Sequence, residues 1–300
     1  MKIIDAHHHL WDIENNPYPW LQGPIEHFAG DFTPIQRPYV MSEYLRNASE
    51  GPYELVKSVH VQCEWDENDS AGETAWLQSV ADDATSQGMP NAIVGYADFL
   101  DPDVEALLEK HASYRNCRGI RQSLNFSRDN PRLNFIDRPD AADESQWRDG
   151  YRRLARFDMS FDLQVWPWQM EMADRLLTAC PEVPAILDHA GLPYAHDAAG
   201  RRQWEAGIRL LARHEHLSAK ISALGMTVPG WTADFIRPYV LGMIDIFGTD
   251  RCMFASNFPV DSLTSDYTHI WSAYDTITSN FSEAERRKLF HDNAEKYYRI

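Results

Sequence analysis

The sequence has no hydrophobic run long enough to cross a membrane. No window of its 300 residues approaches the about 20 consecutive apolar residues that a spanning helix needs. The first apolar stretch is only a few residues long and runs directly into three histidines, which is unlike a signal peptide. We therefore expect a cytoplasmic protein that does not have a membrane as a partner.

Positive charge is also scarce. The chain has 28 Lys and Arg residues against 45 Asp and Glu residues, a formal net charge of -17, and it has no basic run. Such a field repels nucleic acids and anionic membrane surfaces. We expect a small molecule as the substrate and no nucleic-acid partner, and self-association into a homo-oligomer stays open.

Cysteine is rare, and several catalytic motifs are missing. The four cysteines form no C-x-x-C pair, and three lie in apolar strand-like runs, as expected of a reduced cytosolic protein. There is no G-x-S-x-G elbow, P-loop, G-x-G-x-x-G or H-E-x-x-H motif. Covalent serine hydrolysis and nucleotide chemistry are therefore unsupported.

Short β-branched runs alternate with longer amphipathic stretches along the whole chain. Strands are predicted at 2–7, 56–63, 92–99, 117–124, 160–165, 185–190, 217–222 and 252–257. Helices are predicted at 72–87, 102–112, 146–156, 168–179, 202–213, 232–247 and 264–279, with two short helices in 282–298 that begin at a Ser282–Glu285 capping box. This alternation predicts an α/β protein, a single-domain (β/α)₈ TIM barrel over 1–300.

The alternative fold is a doubly wound open sheet. That fold usually has a glycine-rich turn after its first strand, where this chain has three histidines. Two irregular segments, 10–40 and 125–145, follow the first and fourth predicted strands. Long loops inside compact domains are usually functional, so we expect the first to lie over the catalytic mouth.

The first strand ends in a run of histidines. Alternate residues of an extended chain face the same way, so Asp5, His7 and His9 are expected on one face, with His8 opposed. Two such imidazoles can reach one cation, and imidazole suits Zn²⁺. The plainer alternative is a polar strand end with solvated histidines.

Two later strands also end in polar residues. His189 follows the sixth strand, where alone it would more often be a hydrogen-bonded core residue. Asn257 ends the eighth strand and can hydrogen-bond but cannot act as a base. Asp261 is ionisable, although a loop or cap role is at least as common for such a residue.

Arg121 lies near the end of the fourth strand. It could clamp a carboxylate or polarise a carbonyl, or form a buried salt bridge with Glu64 or Asp188. Weaker strand-end candidates are Lys220 and Ser222. The substrate-binding candidates are Gln62, Glu64, Gln164, Trp166 and Trp11. We expect no role in the site for His27, His111, His196, His214, His216 and His269.

An ordered set of segments resembles a known family. The segments are DAHHHLWD, VHVQCEWD, GIRQSL, LDHAG, KISALG and CMFASNFPVD. They resemble, over essentially the whole chain, the amidohydrolase-related group of metal-dependent hydrolases that includes sugar lactonases and pyrone-dicarboxylate lactonase.

The resemblance implies a (β/α)₈ barrel that hydrolyses small lactones. His7 and His9 match its first-strand pair and His189 its sixth-strand histidine, which together would hold one divalent metal, preferably Zn²⁺. Asn257 stands where many members carry a metal-binding Asp, so metal-independent activity stays open. The alternatives are decarboxylation of a small carboxylic acid and an inactive binding homologue.

Overall fold

Eight parallel strands surround a central axis. The computed structural model describes residues 1–25 and 27–300. Each strand pairs in parallel with the next one along the chain, from β1 to β8. The strands are β1 Lys2–His8, β2 Glu54–Val61, β3 Ala92–Gly95, β4 Cys117–Ile120, β5 Ser160–Leu163, β6 Ala185–Leu187, β7 Leu217–Ile221 and β8 Cys252–Phe254.

The first and last strands meet at their carboxyl ends. The His9 amide donates to the Phe258 carbonyl at 2.7 Å, and the Asn257 amide donates to the His7 carbonyl at 2.8 Å. These bonds join the two edges that an open sheet would leave unpaired. The predicted (β/α)₈ barrel is confirmed, and the open-sheet alternative is wrong.

Helices follow the strands around the barrel. They are α1 Met41–Ser49, α2 Ser70–Asp82, α3 Val104–Ala112, α4 Ser145–Arg152, α5 Met170–Ala179, α6 Ala198–Leu211, α7 Ala233–Phe247, α8 Tyr267–Ile277, α9 Glu283–Arg287 and α10 Asn293–Tyr298. All seven predicted inter-strand helices are present, with ends shifted by a few residues. Helix α1 was not predicted. The capping box that begins α9 is present, and a π-helical turn joins α9 to α10.

The interior of the barrel is apolar at its lower end. Ile4, Val59 and Ile186 point into it and pack with Tyr298 of α10, which covers the amino-terminal end of the strands. The opposite faces of the strands pack against the helices. Because both faces are buried, the strands are nearly continuous apolar runs.

The four cysteines are buried and form no disulfide among the described residues. No helix in the described part of the chain is both long enough and apolar enough to span a membrane.

Several strands end earlier than predicted. Strand β3 ends at Gly95 and β4 at Ile120, each four residues before the predicted end. The polar residues that follow are at the carboxyl rim, where the chain leaves the sheet. Two long loops, 9–40 and 121–144, start from this rim. Each includes short 3₁₀ turns, and the first also includes two isolated strand bridges, Trp11 with Tyr39 and His27 with Gly30.

Candidate active site

The histidines at the end of β1 divide between two faces. His7 and His9 point into the barrel, where their ring centroids are 5.0 Å apart. His8 points outward and stacks on Tyr44 of α1 at 4.1 Å. The expected opposition of His8 to its neighbours is therefore present.

Asp5 does not share the face of His7, contrary to the expectation from strand alternation. The pairing of β1 with β2 shifts register between Asp5 and His8, which breaks the alternation. The Asp5 carboxylate faces the helices and accepts hydrogen bonds from Tyr44 at 3.0 Å and Tyr267 at 3.2 Å. It also accepts one from the Ser256 amide at 2.9 Å, so it ties β1 to β8.

Left-handed backbone conformations concentrate at the same rim. Glu64, His189, Ala223 and Asn257, just after β2, β6, β7 and β8, have φ values of 58°, 56°, 57° and 56°. Such conformations cost on the order of 1–3 kcal/mol for non-glycine residues and cluster at functional sites. Three of these four residues are among the candidates identified from the sequence.

Three imidazoles converge inside the mouth. The His189 ring centroid lies 4.4 Å from that of His7. His9 donates from Nδ1 to the Val61 carbonyl at 2.8 Å, so its Nε2 carries a free lone pair. His189 contacts the Ser222 hydroxyl through Nδ1 at 2.9 Å. Segments far apart in sequence thus bring these rings together, as predicted.

All three imidazoles are neutral at physiological pH. Burial, followed by the Lys220 charge, holds the pKa of His7 well below its usual value. Burial and then the Arg121 charge do the same to the pKa of His9. Burial lowers the pKa of His189 to about 3. The rings are therefore suited to coordinate a cation or to donate one N–H bond, but not to supply charge.

A column of buried charges supports the imidazoles from below. Lys220 Nζ donates to Asp162 at 2.5 Å and lies 3.0 Å from Asp188 Oδ1 and 3.1 Å from His7 Nδ1. Tyr298 donates to the same Asp162 oxygen at 2.9 Å. Burial raises the pKa of Asp162 to about 6, and the Lys220 charge opposes that effect. Buried charges in proteins are normally paired in this way.

Arg121 joins this column to the cavity. Its guanidinium donates to Gln164 Oε1 at 3.0 Å and to the Gln62 carbonyl, and it lies 3.7 Å from Asp188 Oδ2. The structure therefore has the salt bridge to Asp188 that the sequence left open. Arg121 also lines the cavity, so the structural and the binding interpretations both hold for its position.

Asn257 is oriented by Asp261. Its Nδ2 donates to Asp261 Oδ1 at 2.8 Å, while Asn257 itself lines the cavity. Burial raises the pKa of Asp261 to about 7, against the effect of the Asn257 hydrogen bond. Nδ2 also contacts the sulphur of Met226 at 3.8 Å, so the side-chain oxygen of Asn257 is the atom left to accept a hydrogen bond.

The residues assembled here lie around one cavity of about 640 Å³, including its opening. Of the sequence candidates, seven line it: His9, Trp11, Glu64, Arg121, Gln164, His189 and Asn257. Four lie behind its walls: His7, Gln62, Asp261 and Trp166. Gln62 is paired with Glu64, and the Trp166 ring packs against Phe28 at 5.0 Å.

The sequence did not predict most of the aromatic residues that line the cavity. His27, for which no role was expected, lines the cavity together with Trp20, Phe28, Phe32 and Phe135. These residues lie in the two long loops, which predict proximity to the mouth but not which side chains turn inward. Asp162 was also missed, since its only signal is a charge inside a short apolar strand.

Two of these imidazoles and a carboxylate offer ligand atoms for a divalent metal. The buried His7 Nε2 has no hydrogen-bond partner, and ligand atoms of His7, Asp188 and His189 lie within 4.8 Å of one another. We call His7, Asp188 and His189 the lumen cluster. Lys220 Nζ, 3.1 Å from His7 Nδ1, can only donate, so Nδ1 accepts this bond when the His7 proton is on Nε2. The tautomer with the proton on Nδ1, toward Asp188 at 3.4 Å, leaves Nε2 free to coordinate. The other tautomer presents an N–H to the site instead.

The fold and this constellation define a hydrolase, and the chain belongs to the amidohydrolase family, whose model matches residues 4–300. The uncharacterized protein y4mH of Sinorhizobium fredii is 46% identical, with 100% of this chain and 99% of that protein covered. An L-fucono-1,5-lactonase of Burkholderia multivorans is 27% identical, covering 99% and 96%.

A solved structure has the same architecture. A zinc-bound amidohydrolase from Burkholderia multivorans superposes with a TM-score of 0.82 at 25% identity, over 100% of both chains. The superposition covers the whole barrel, and the structure with which it was made contains zinc.

Proposed function

We propose that this chain, acting as one domain over 1–300, hydrolyses the ester bond of a lactone. The observation that carries the proposal is the convergence of His9, His189 and Arg121 at the base of one cavity that has a carboxylate, Glu64, on its wall. His7 lies directly behind them, against the rings of His9 and His189. The lactonase relative supports the same reaction class.

The Arg121 guanidinium and the neutral His189 ring at the base bind the carbonyl oxygen. The Arg121 guanidinium is fixed by Gln164 and by the Gln62 carbonyl, so it does not reorganise when negative charge develops on that oxygen. Preorganised donors of this kind are often the largest single contribution to catalysis. His189, held by Ser222, lies on the same wall.

We propose that His7, His9 and His189 hold one divalent cation, with Zn²⁺ the preferred ion for imidazole ligands. Asn257 could add a weak neutral oxygen ligand. When bound, such a cation supplies Lewis-acid polarisation of the carbonyl.

Glu64 is the proposed base. It is the carboxylate among the described residues that line the cavity, and the Gln62 side chain donates to it at 3.0 Å. The carboxylate takes a proton from water as the water oxygen attacks the carbonyl carbon. The ring C–O bond then breaks, and the leaving alkoxide takes that proton, which yields the open hydroxy acid. The Asn257 carbonyl oxygen accepts a hydrogen bond from the attacking water and so orients it.

The test is acid release from a panel of γ- and δ-lactones, measured by pH-stat. Lactone opening without CO₂ release is expected. CO₂ release from small carboxylic acids without lactone opening would point to a decarboxylase, and binding without turnover to an inactive homologue.

A variant tests the role of Glu64 within that reaction. Glu64→Gln should lower kcat by about 10²–10⁴-fold, as expected on loss of a general base. Glu67→Gln, an exposed change three residues away, is the matched control and should leave kcat unchanged. Equal activity in the two variants would remove Glu64 from the mechanism.

A further inference from the structure

The upper part of the cavity is almost entirely apolar. We call its lining residues Trp20, His27, Phe28, Phe32, Phe135 and Met226 the outer wall. Five of them come from the loop after β1 and the loop after β4. The wall therefore lies above the strand-end chemistry, where the part of a substrate remote from its carbonyl would sit.

The rings of the outer wall are packed together rather than scattered. His27 lies 4.4 Å from Phe28 and 4.2 Å from Phe32, measured between ring centroids. Phe28 also contacts Phe135 at 6.2 Å and Trp166 at 5.0 Å. Burial lowers the pKa of His27 to about 4, so this ring is neutral and adds no charge to the wall.

The polar atoms around the wall are largely occupied by the protein. The indole N–H of Trp20 donates to the Cys63 carbonyl at 2.7 Å, and that of Trp11 donates to the Arg37 carbonyl at 2.8 Å. Gln164 accepts from Arg121 and donates to Asn125 at 2.8 Å. The Ser123 hydroxyl lines the cavity without a hydrogen-bond partner, so it and the groups at the base are the side chains left to bind ring hydroxyls.

This arrangement disfavours a polyol. A sugar lactone would lose the water hydrogen bonds of several hydroxyls against aromatic surface, and each unreplaced bond costs on the order of 1–3 kcal/mol. An alkyl or aryl substituent at the same place gains free energy, about 25 cal/mol for each Å² of apolar surface buried. Aromatic rings can stack on sugars, but polar partners for the hydroxyls would then be needed beside them.

The charge of the cavity narrows the class of substrate further. Arg121 and Glu64 are its charged lining residues among those described, and their formal charges cancel. A substrate with a second carboxylate would face Glu64 without a second cation on the wall. We propose, on the basis of the lactonase function above, that the preferred substrate is an uncharged lactone with an apolar or aromatic substituent rather than a polyhydroxylated sugar lactone.

The decisive comparison uses two δ-lactones with the same ring. One is 6-phenyl-δ-valerolactone, and the other is D-glucono-1,5-lactone. We expect kcat/KM for the phenyl compound to exceed that for the sugar compound by about 100-fold, the discrimination typical of an apolar pocket against added hydroxyls. An equal or reversed preference would overturn the inference while leaving lactone hydrolysis in place.

A second measurement separates this inference from the hydrolytic function. The corresponding lactams, with N–H in place of the ring oxygen, resist hydrolysis and report binding alone by calorimetry. Tighter binding of the phenyl lactam supports the apolar wall even if no lactone is opened. Tighter binding of the sugar lactam contradicts it whatever the activity.

Variants locate the preference in the outer wall. Phe28→Ala should raise KM for the phenyl lactone about tenfold or more, with a smaller change for the sugar lactone. Trp168→Ala is the matched control, because Trp168 is 40% exposed and does not line the cavity. Equal effects of Phe28→Ala on both substrates would show that the wall does not set specificity.

Discussion

Two buried clusters among the described residues contain residue types that bind metals, but their polar atoms are occupied differently. The lumen cluster is His7, Asp188 and His189, and a second group, which we call the flank cluster, is His60, Cys63 and Glu73. In both, the potential ligand atoms lie within 4.8 Å of one another. Distance and residue type alone therefore do not distinguish them.

The two clusters differ in what already occupies their polar atoms. In the flank cluster, Cys63 donates to Glu73 at 3.0 Å, and His60 Nε2 contacts the Leu10 carbonyl at 3.2 Å. Tyr18 also donates to Glu73, at 3.3 Å. The atom left without a partner there is His60 Nδ1. These contacts are those of a hydrogen-bonded element that joins α2 to the end of β2.

The lumen cluster instead borders the cavity through His189, and Lys220, which is held by Asp162, contacts His7 and Asp188 from behind. Its His7 Nε2 has no partner, and His189 lines the opening. Cys63 of the flank cluster also lines the cavity, so access alone does not separate the two clusters. The comparison teaches that what the potential ligand atoms already bond to, more than their proximity, indicates a binding site.

The largest effect should come from removing one imidazole of the lumen cluster. His189→Ala should abolish zinc retention and lower lactone hydrolysis by about 10³-fold, since a preorganised contact to the carbonyl oxygen is lost. Cys63→Ala, which removes a ligand type from the flank cluster, should leave the zinc content unchanged. Metal analysis of both purified variants tests this, and zinc loss only in Cys63→Ala would reverse our assignment.

The next effect concerns the buried charges beneath the lumen cluster. Lys220→Met should destabilise the protein by about 3–5 kcal/mol, because Asp162 and Asp188 lose their shared cation in the interior. Lys57→Met breaks an exposed pair with Glu295 and should cost less than about 1 kcal/mol. Denaturant unfolding measures the free energy lost in each variant. A similarly small loss in both would mean that Asp162 and Asp188 do not depend on the charge of Lys220.

A pH effect is expected from the flank cluster. Burial raises the pKa of Glu73 from its usual 4.5 to about 7, so folding favours its protonated form. The stability that this group contributes is complete below about pH 4.5 and is lost as the pH rises through about 7. The free energy of unfolding should therefore fall by about 3 kcal/mol across that window.

Glu73→Gln should remove this contribution because an amide does not titrate. The difference in unfolding free energy between the two proteins should then favour the wild type more at pH 5 than at pH 8. A difference that stays constant between these pH values would mean that Glu73 titrates normally in the folded state.

The smallest effect should follow Asn257→Asp. A carboxylate at this position adds a charged ligand to the mouth, and zinc affinity measured by chelator competition should rise about tenfold. Without metal the new carboxylate lies against Asp261, whose pKa is already raised to about 7 by burial. We therefore expect the metal-free variant to be less stable than the wild type above pH 7, and unchanged zinc affinity would exclude residue 257 as a ligand.

Much of the barrel could be predicted because its signals are local. Apolar β-branched runs and amphipathic stretches determine strands and helices, and their eightfold alternation leaves few other topologies. Helix α1 escaped prediction because it follows a long irregular loop, with no strand immediately before it. The predicted orientation of Asp5 in β1 was wrong, because the register shift that turns it is set by pairing with β2 and cannot be predicted from one strand.

The sequence by itself determined the order of the strands and the presence of polar residues at their ends, including His7, His9, His189 and Arg121. The tertiary structure alone decided that Lys220 lies beneath His7, that Asp261 orients Asn257, and that rings from two loops form the outer wall. Local preferences arise from neighbours along the chain, whereas these contacts join residues far apart or depend on a turn. Only closure of the barrel and packing of its loops bring such groups within bonding distance.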